Sequence, residues 1–180
     1  HATEEIDLIK RIFSPAKAYL GPDATEDRAK TELAGFNILH FATHGKMKGN
    51  IKDSYILLAP SADGKEDGKL FLKEIWGLPL AGYQLVTLSA CETAVGKEAS
   101  GDVMVSLETA FLRAGTPTIL ASLWEVDDQA TGILMTAFYD NVTKQGKAEA
   151  LRTAQAALLN DPRYAYPYYW APFIVVGDWR

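Results

Sequence analysis

The 180-residue chain has little cysteine, no long apolar run and no excess of positive charge. Its only cysteine, Cys91, rules out an intrachain disulfide, and a free thiol suits a reducing compartment, so we expect a cytoplasmic protein. No segment approaches the roughly 18 apolar residues of a transmembrane helix, so no membrane association is expected. The formal net charge of −5 argues against nucleic acid as a partner.

The length and the apolar content predict one domain. Hydrophobic residues make up 48% of the chain, which is enough to bury a sizeable core. The first residue is His1 rather than methionine, so His1 is either a remnant of a tag or the start of a piece of a longer protein. We therefore expect residues 1–180 to be a single domain of a larger, multidomain chain.

Helical and strand patterns alternate along the sequence, which predicts an α/β fold around a mostly parallel sheet. We expect the core strands roughly at 18–20, 37–42, 85–90 and 117–123, a peripheral hairpin at 54–59 and 70–72, and a last strand at 173–177. We expect helices at 3–13, 24–34, within 71–78, and at 102–114, 127–143 and 147–159.

Two of these apolar runs end in chemically reactive residues. Cys91 follows the run at 85–90, and His44 follows the run at 38–43. If the runs are neighbouring parallel strands, the thiol and the imidazole emerge at one edge of the sheet, where such sheets bind ligands. That arrangement suits a cysteine nucleophile with a histidine base. A buried structural cysteine and a loop histidine bonded to the backbone are the alternatives.

The residues around this pair suggest an oxyanion hole and weigh against a metal site. The backbone amides of Gly45 and Cys91 are the candidate oxyanion donors, because glycine lets a substrate approach the main chain closely. His40 lies inside the strand, and we interpret it as a buried, mainly structural residue. His40, His44 and Cys91 could together ligate a metal, but no CxxC or HExxH spacing accompanies them, so we expect no metal or cofactor.

Acidic and aromatic residues have simpler interpretations. Asp127 and Asp128 precede a predicted helix and either cap it or form a pocket wall for a basic side chain. Asp102 is placed to cap its helix, and Glu108 is interpreted as a surface acid. The aromatic residues between 164 and 170 either cover the core or line a groove for an extended peptide.

Several motifs of the chain together resemble the CHAT domain. They are HFATHG at 40–45, LSACETA at 88–94, AFLRAG at 110–115, SLWEVDD at 122–128 and WAPF at 170–173. CHAT domains are caspase-like, are related to caspases and separases, and often follow tetratricopeptide repeats. The resemblance therefore implies a three-layer α/β/α caspase-like sandwich and an upstream repeat domain in the full-length protein.

The resemblance also implies a function for the site residues. His44 and Cys91 would be the catalytic dyad of a clan CD cysteine endopeptidase that cleaves a protein partner, with no third side chain required. The Gly45 and Cys91 amides would hold the oxyanion. A caspase-like signalling or interaction module without active catalysis is the alternative.

The chain departs from the caspase pattern in ways that affect specificity and fold. Ser89 stands where caspases carry the glutamine that helps to bind aspartate, so cleavage after aspartate is not implied. Alignment with separases makes Asp128 the candidate acceptor of a basic P1 side chain, with Asp127 as the helix cap. Caspase-like sheets begin with a strand ahead of the first helix. Because this chain starts directly in that helix, we expect a sheet without its first strand.

Overall fold

The computed structural model describes residues 2–46, 53–89 and 102–180, with the backbone alone at positions 2, 4 and 102–106. The described strands are β1 (Ile38–Phe41), β2 (Gly45–Lys46), β3 (Tyr55–Leu57), β4 (Lys69–Phe71), β5 (Leu85–Leu88), β6 (Thr118–Ser122) and β7 (Phe173–Gly177). The described helices are α1 (Ala2–Ile12), α2 (Glu26–Thr31), α3 (Leu72–Ile75), α4 (Asp102–Arg113), α5 (Asp128–Val142) and α6 (Lys147–Leu159).

A mixed, mostly parallel sheet forms the centre of the fold. Its strand order is β1-β5-β6-β7; β1, β5 and β6 run parallel, and β7 pairs antiparallel with β6. The runs expected at 37–42, 85–90 and 117–123 are therefore strands of one sheet, and the run expected at 173–177 is the strand β7. With helices between most of the strands, the expected α/β class is confirmed.

A second, three-stranded antiparallel sheet has the order β2-β3-β4. The pairing of β3 with β4 confirms the predicted hairpin. The sequence did not indicate β2, which consists of only two residues and pairs with β3 directly after His44. Because β2 follows β1 so closely, this small sheet is attached to the same edge of the main sheet as the candidate site.

The strands bury side chains in two separate clusters. Val86 and Leu88 of β5 pack in a cluster with residues of α2, α3 and α4, including Phe111. Leu85 of the same strand packs in a second cluster with residues of α1, α5 and α6, including Phe138. Successive side chains of a strand point to opposite faces, so both faces of the sheet are buried. Most positions of the parallel core strands are accordingly apolar.

The strand expected at 18–20 is wrong. Residues 16–20 have no regular structure, although Leu20 keeps an extended backbone with φ −129° and ψ 146°. Within the described part of the chain no strand lies beside this segment, and a strand requires a hydrogen-bonded neighbour. The helix expected at 24–34 is also shorter, since α2 begins after the cap at Thr25, whose side chain accepts from the Arg28 amide.

The start of the chain is helical from Ala2, so residues 2–5 contain no strand. Asp102 is the first residue of α4, and its predicted capping side chain lies outside the described residues. None of the helices in the described ranges combines the length and apolar character needed to cross a membrane.

Candidate active site

The carboxyl ends of β1 and β5 lie side by side at one edge of the main sheet. Phe41 is opposite Leu88, and the Ser89 amide donates to the Phe41 carbonyl at 3.0 Å. In the sequence, His44 is the third residue after Phe41 and Cys91 is the third residue after Leu88. Cys91 itself lies outside the described residues, so the structure defines the histidine side of the predicted pair.

His44 has an anchored backbone and an exposed side chain. Its carbonyl accepts from the Leu57 amide at 2.8 Å, and the neighbouring Thr43 hydroxyl donates to the Leu57 carbonyl at 2.6 Å. Among the described residues the imidazole has no hydrogen-bond partner. An exposed imidazole on a fixed backbone is available to take up and release a proton.

The amide of Gly45 points away from its neighbouring strand. Gly45 is opposite Ile56 in the ladder. The next pair along the ladder, His44 and Leu57, is the hydrogen-bonded one, because the Leu57 amide donates to the His44 carbonyl. Hydrogen-bonded and non-bonded pairs alternate in an antiparallel ladder, so the Gly45 amide makes no bond to β3. Gly45 is also buried. A buried amide that the ladder leaves unused is a suitable oxyanion donor.

Ser89 leaves the end of β5 as a buried residue. It is 4% exposed, and its hydroxyl has no hydrogen-bond partner among the described residues. Ser89 is two positions before Cys91, and its buried side chain offers no open surface to a ligand.

The two acids at the start of α5 have different surroundings. Asp127 caps the helix, since its Oδ1 accepts from the amides of Gln129 and Ala130 at 3.0 Å each, which confirms the predicted cap. Asp128 is exposed, and its carboxylate has no ion pair among the described residues. Asp128 is therefore the acid left available to a ligand.

The aromatic segment before β7 is bound to the same edge. Phe173 is opposite Ser122, so the segment at 164–172 lies beside the end of β6. The Trp124 ring nitrogen donates to the Tyr168 carbonyl at 3.0 Å, and the Tyr168 hydroxyl donates to the Glu125 carbonyl at 2.8 Å. Tyr164 is buried while Tyr166 is exposed, so the segment covers the core and also presents aromatic surface.

The interpretation of Glu108 as a surface acid is wrong. Glu108 is only 9% exposed, its Oε1 has no hydrogen-bond partner among the described residues, and burial raises the pKa of its carboxyl group. The sequence carried the signal for this, because position 108 is next to Leu107 and three residues before Phe111, on the apolar stripe of α4.

His40 is largely buried, as expected. Its Nδ1 lies 2.9 Å from the Tyr139 hydroxyl, which donates in turn to Thr87 Oγ1 at 2.7 Å. Its Nε2 faces Glu5 Oε1 at 3.1 Å, although the angles are not those of a regular hydrogen bond. Both ring nitrogens thus face groups from α5 and α1, which supports a structural role.

A second polar cluster, which the sequence did not indicate, joins α2 to the hairpin and α3. The Lys30 ammonium lies 2.7 Å from Glu26, 2.9 Å from Glu66 and 2.8 Å from Glu74. Partial burial acts to lower the pKa of Lys30, but the hydrogen bonds that the ammonium donates to the three carboxylates outweigh it and raise that pKa. The carboxylates are close enough together to bind a metal ion, yet the ammonium already supplies the compensating charge.

Comparison with known proteins identifies a matching family and two relatives of this chain. The family model described as "CHAT domain" matches residues 1–178. "Tetratricopeptide repeat protein 28" of Mus musculus is 25% identical over 216 residues, and its Homo sapiens counterpart is 26% identical over 214 residues. Each alignment covers 98% of this chain and 8% of the relative, so the chain spans a small part of the curated proteins it matches. The match across nearly the whole length shows that the chain belongs to the CHAT-domain family, which is related to the caspase-like peptidases.

Proposed function

We propose that this domain is a cysteine endopeptidase that cleaves a protein partner through His44 and Cys91. The observation that carries the proposal is the in-register parallel pairing of β1 and β5, whose ends precede His44 and Cys91 by the same number of residues. Parallel neighbours deliver the residues after them to one edge of the sheet. Membership of a family related to caspase-like peptidases supports the same chemistry.

The proposed reaction is acyl transfer to the thiol. His44 accepts the proton of the Cys91 thiol, and the sulfur attacks the carbonyl carbon of the scissile peptide bond. The negative charge that develops on the carbonyl oxygen is held by the amides of Gly45 and Cys91. The intermediate collapses to a thioester as the amine leaves with a proton from His44. Water then hydrolyses the thioester and regenerates the thiol.

The substrate pocket in this proposal uses Asp128 to bind a basic P1 side chain. Asp127 is engaged by the helix amides, whereas Asp128 is exposed and free of ion pairs among the described residues. Ser89 is small and buried, so it cannot replace the side-chain amide of the caspase glutamine, which helps to bind aspartate. A library of peptides should therefore show cleavage after Lys or Arg. Asp128→Ala should remove that preference, while Asp140→Ala, an exposed acid farther along α5, should retain it.

Regulation by a repeat domain belongs to the same proposal. Both curated relatives are named for tetratricopeptide repeats and are far longer than this chain. We propose that the parent protein carries such repeats upstream and that they present the substrate or control the peptidase. A reducing cytoplasmic setting would keep the Cys91 thiol free.

The dyad is tested by the alkylation of Cys91, which is the only cysteine and therefore the only labelled site. Iodoacetamide should react at neutral pH faster than with free cysteine, because a paired imidazole stabilises the thiolate. His44→Ala should slow the labelling by about tenfold or more, and cleavage should be lost in Cys91→Ala. His1→Ala is the matched control and should leave the labelling rate unchanged. Equal rates in wild type and His44→Ala would contradict the dyad.

The alternative is an interaction module that keeps the fold without catalysis. The names of the two curated relatives refer to repeats and not to peptidase activity, which favours this alternative. It predicts a thiol no more reactive than free cysteine and a full-length protein that cleaves no peptide of the library.

A further inference from the structure

The small sheet β2-β3-β4 has one buried face and one outward face. Ile56 and Leu70 are opposite each other in the ladder, and both are completely buried in the first core cluster. Successive side chains of a strand point to opposite faces, and residues opposite each other in a ladder share a face. The neighbours of Ile56 and Leu70 therefore form the outward face, whose apolar side chains lie outside both core clusters.

The outward face combines apolar and basic side chains. Its members are Lys46, Tyr55, Leu57, Lys69 and Phe71. Leu57 is 45% exposed, and the rings of Tyr55 and Phe71 lie edge to face with their centres 5.5 Å apart. The Lys69 ammonium lies 5.9 Å from the centre of the Tyr55 ring. Rings with a cation beside them can bind an apolar group and a negative charge together.

Helix α3 continues this surface directly after β4. Lys73 and Trp76 are both exposed and three residues apart, so they lie on the same side of the helical turn. The Lys73 ammonium lies 5.7 Å from the centre of the Phe71 ring. At the end of α4, the Arg113 guanidinium lies 5.1 Å from the centre of the Trp76 ring. Phe71, Lys73 and Trp76 therefore form one strip that leads from the sheet to the helix.

Most of the cations on this surface lack an acidic partner. Lys46, Lys73 and Arg113 have no ion pair within the described part of the chain, whereas Lys69 pairs with Asp67 at 3.2 Å. The whole chain carries 23 acidic and 18 basic residues, so this excess of positive charge is local and does not follow from composition. A basic surface with apolar side chains between its charges is complementary to an acidic segment that also carries apolar side chains.

We propose that the outward face and α3 dock an extended, acidic segment of a partner protein. The apolar side chains of the segment contact Tyr55, Leu57 and Trp76, which are the anchors. Its carboxylates pair with Lys46, Lys73 and Arg113. The overall charge of −5 favours a short acidic segment over a nucleic acid, whose negative charge extends beyond the surface.

The docking surface borders the candidate active site. The exposed His44 is opposite Leu57, the pair next to Gly45 and Ile56, so it lies at the border of the outward face. A segment bound on this face is therefore held beside His44. That it positions a partner for cleavage rests on the proposed function, whereas the docking itself does not.

Peptide binding to the Cys91→Ala chain tests the docking without cleavage. The probes are labelled short peptides in which Asp or Glu alternates with Leu or Phe, and the matched set carries Asn or Gln in place of each acid. We expect the acidic set to bind about tenfold more tightly or better, with an affinity that falls as salt is added. In NMR spectra the amide signals at 55–57 and 69–71 and the Trp76 indole signal should shift. Equal affinities for the two sets, or shifts confined to other elements, would overturn the proposal.

Charge reversal tests the named cations. Lys46→Glu combined with Lys73→Glu should weaken binding of the acidic set by about tenfold or more. Lys10→Glu combined with Lys144→Glu is the matched control, because these exposed lysines belong to α1 and to the turn after α5, whose helices pack in the second core cluster. The control should bind like the Cys91→Ala chain, and equal losses in both double variants would refute the docking surface.

An apolar substitution and two other probes complete the test. Leu57→Ser should weaken binding by about tenfold, whereas Leu159→Ser, which alters a leucine of similar exposure (49% against 45%), should have no effect. Tighter binding of single-stranded polyuridine RNA than of the acidic peptides at this surface would identify a nucleic acid as the occupant. A dimer in sedimentation that the reversal of Lys46 and Lys73 dissociates would identify a second copy. Either result would overturn the proposal.

Discussion

The Tyr139 hydroxyl connects three elements through its hydrogen bonds. It donates to Thr87 on β5 and lies 2.9 Å from His40 Nδ1 on β1, while its ring belongs to α5 and is fully buried. Burial raises the pKa of this hydroxyl further above its ordinary value, so it stays protonated and keeps donating. Because it has only one proton to donate, the bond to His40 must run from the imidazole N–H to the tyrosine oxygen.

Tyr139→Phe should destabilise the domain by about 1–3 kcal/mol, since the completely buried Thr87 and the largely buried His40 lose a hydrogen-bond partner. The measurement is urea unfolding. Tyr164→Phe is the control, because its hydroxyl bonds to the exposed Gln129 side chain, which can turn to water. A loss at Tyr139 no larger than that at Tyr164 would contradict this account of the buried network.

Glu108→Gln should stabilise the domain at pH 7 by about 1 kcal/mol, because it replaces a buried carboxylate, whose Oε1 has no hydrogen-bond partner among the described residues, by a neutral amide. The native pKa of Glu108 is raised, so the wild-type penalty applies above that pKa and disappears below the pKa of the unfolded chain. The advantage of the glutamine should therefore vanish as the pH falls below about 4. The stability difference is measured from the urea unfolding midpoints of wild type and Glu108→Gln between pH 4 and pH 8.

Glu149→Gln is the matched control for that experiment. The hydrogen bond from Arg152 lowers the pKa of the exposed Glu149 carboxyl. The wild type should then be the more stable protein at pH 7, and the difference should disappear on acidification. At neutral pH, Glu108→Gln should raise the unfolding free energy and Glu149→Gln should lower it. Changes in the same direction would contradict the environments assigned to the two carboxyl groups.

At the scale of elements, the Lys30 cluster joins α2 to the hairpin and to α3. Glu26 is 1% exposed. Its carboxylate also accepts a hydrogen bond at 2.9 Å from the amide of Gly68, the residue immediately before β4. Lys30→Met leaves a buried carboxylate without its cation, so we expect a loss of about 3 kcal/mol in unfolding free energy. Lys65→Met is the control, because Lys65 pairs with Asp63 on the surface and should have no measurable effect. A Lys30→Met protein as stable as wild type would refute the role of the cluster.

The end of β7 depends on a glycine. Gly177 has φ +99°, and a Cβ at this position would lie 2.0 Å from the Pro117 carbonyl oxygen. Gly177→Ala should therefore destabilise the pairing of β6 with β7 by more than about 1 kcal/mol. Gly132→Ala in α5 should stabilise the protein by about 1 kcal/mol, since a Cβ there meets no atom within 4 Å. Thermal unfolding of both variants gives the comparison, and equal shifts would contradict it.

At the scale of the whole molecule, the main sheet of the described residues has two inner strands, β5 and β6, between the outer strands β1 and β7. We expect the amides of Thr87 and Leu120 to exchange only through global unfolding, because both residues are completely buried and their strands are paired on both sides. The amides of Ile38 and His40 should exchange far faster, because they point away from β5 and no strand of the described residues pairs with that side of β1. Uniform exchange across all four strands would contradict this order, and two-dimensional NMR in deuterated buffer measures it.

Much of the fold could be predicted because its signals are local. The apolar runs identified β1, β5, β6 and β7, and α6 has the bounds that the alanine-rich pattern indicated. The Asp127 cap was predictable because a carboxylate followed by helix-forming residues satisfies the free amides of a first turn. The region of His44 in the candidate site was also predictable, since the ends of buried strands can be recognised from where the apolar runs stop.

Other features depend on residues that are distant in the chain. Residues 18–20 have a strand-like sequence but no neighbouring strand within the described part of the chain, and no local pattern reports whether a neighbour exists. The Lys30 cluster gathers carboxylates from three separate segments. The unused Gly45 amide follows from the register of β2 against β3, which only the folded chain sets.

The sequence by itself determined the α/β class, the Asp127 helix cap and the placement of His44 and Cys91 after two strands, because periodicity, capping and strand termination are properties of neighbouring residues. Only the tertiary structure decided the antiparallel direction of β7, the gathering of three carboxylates around Lys30 and the register of β2 against β3. Those features arise from packing and hydrogen bonding between segments far apart in the chain, and their energies are defined only once the segments meet.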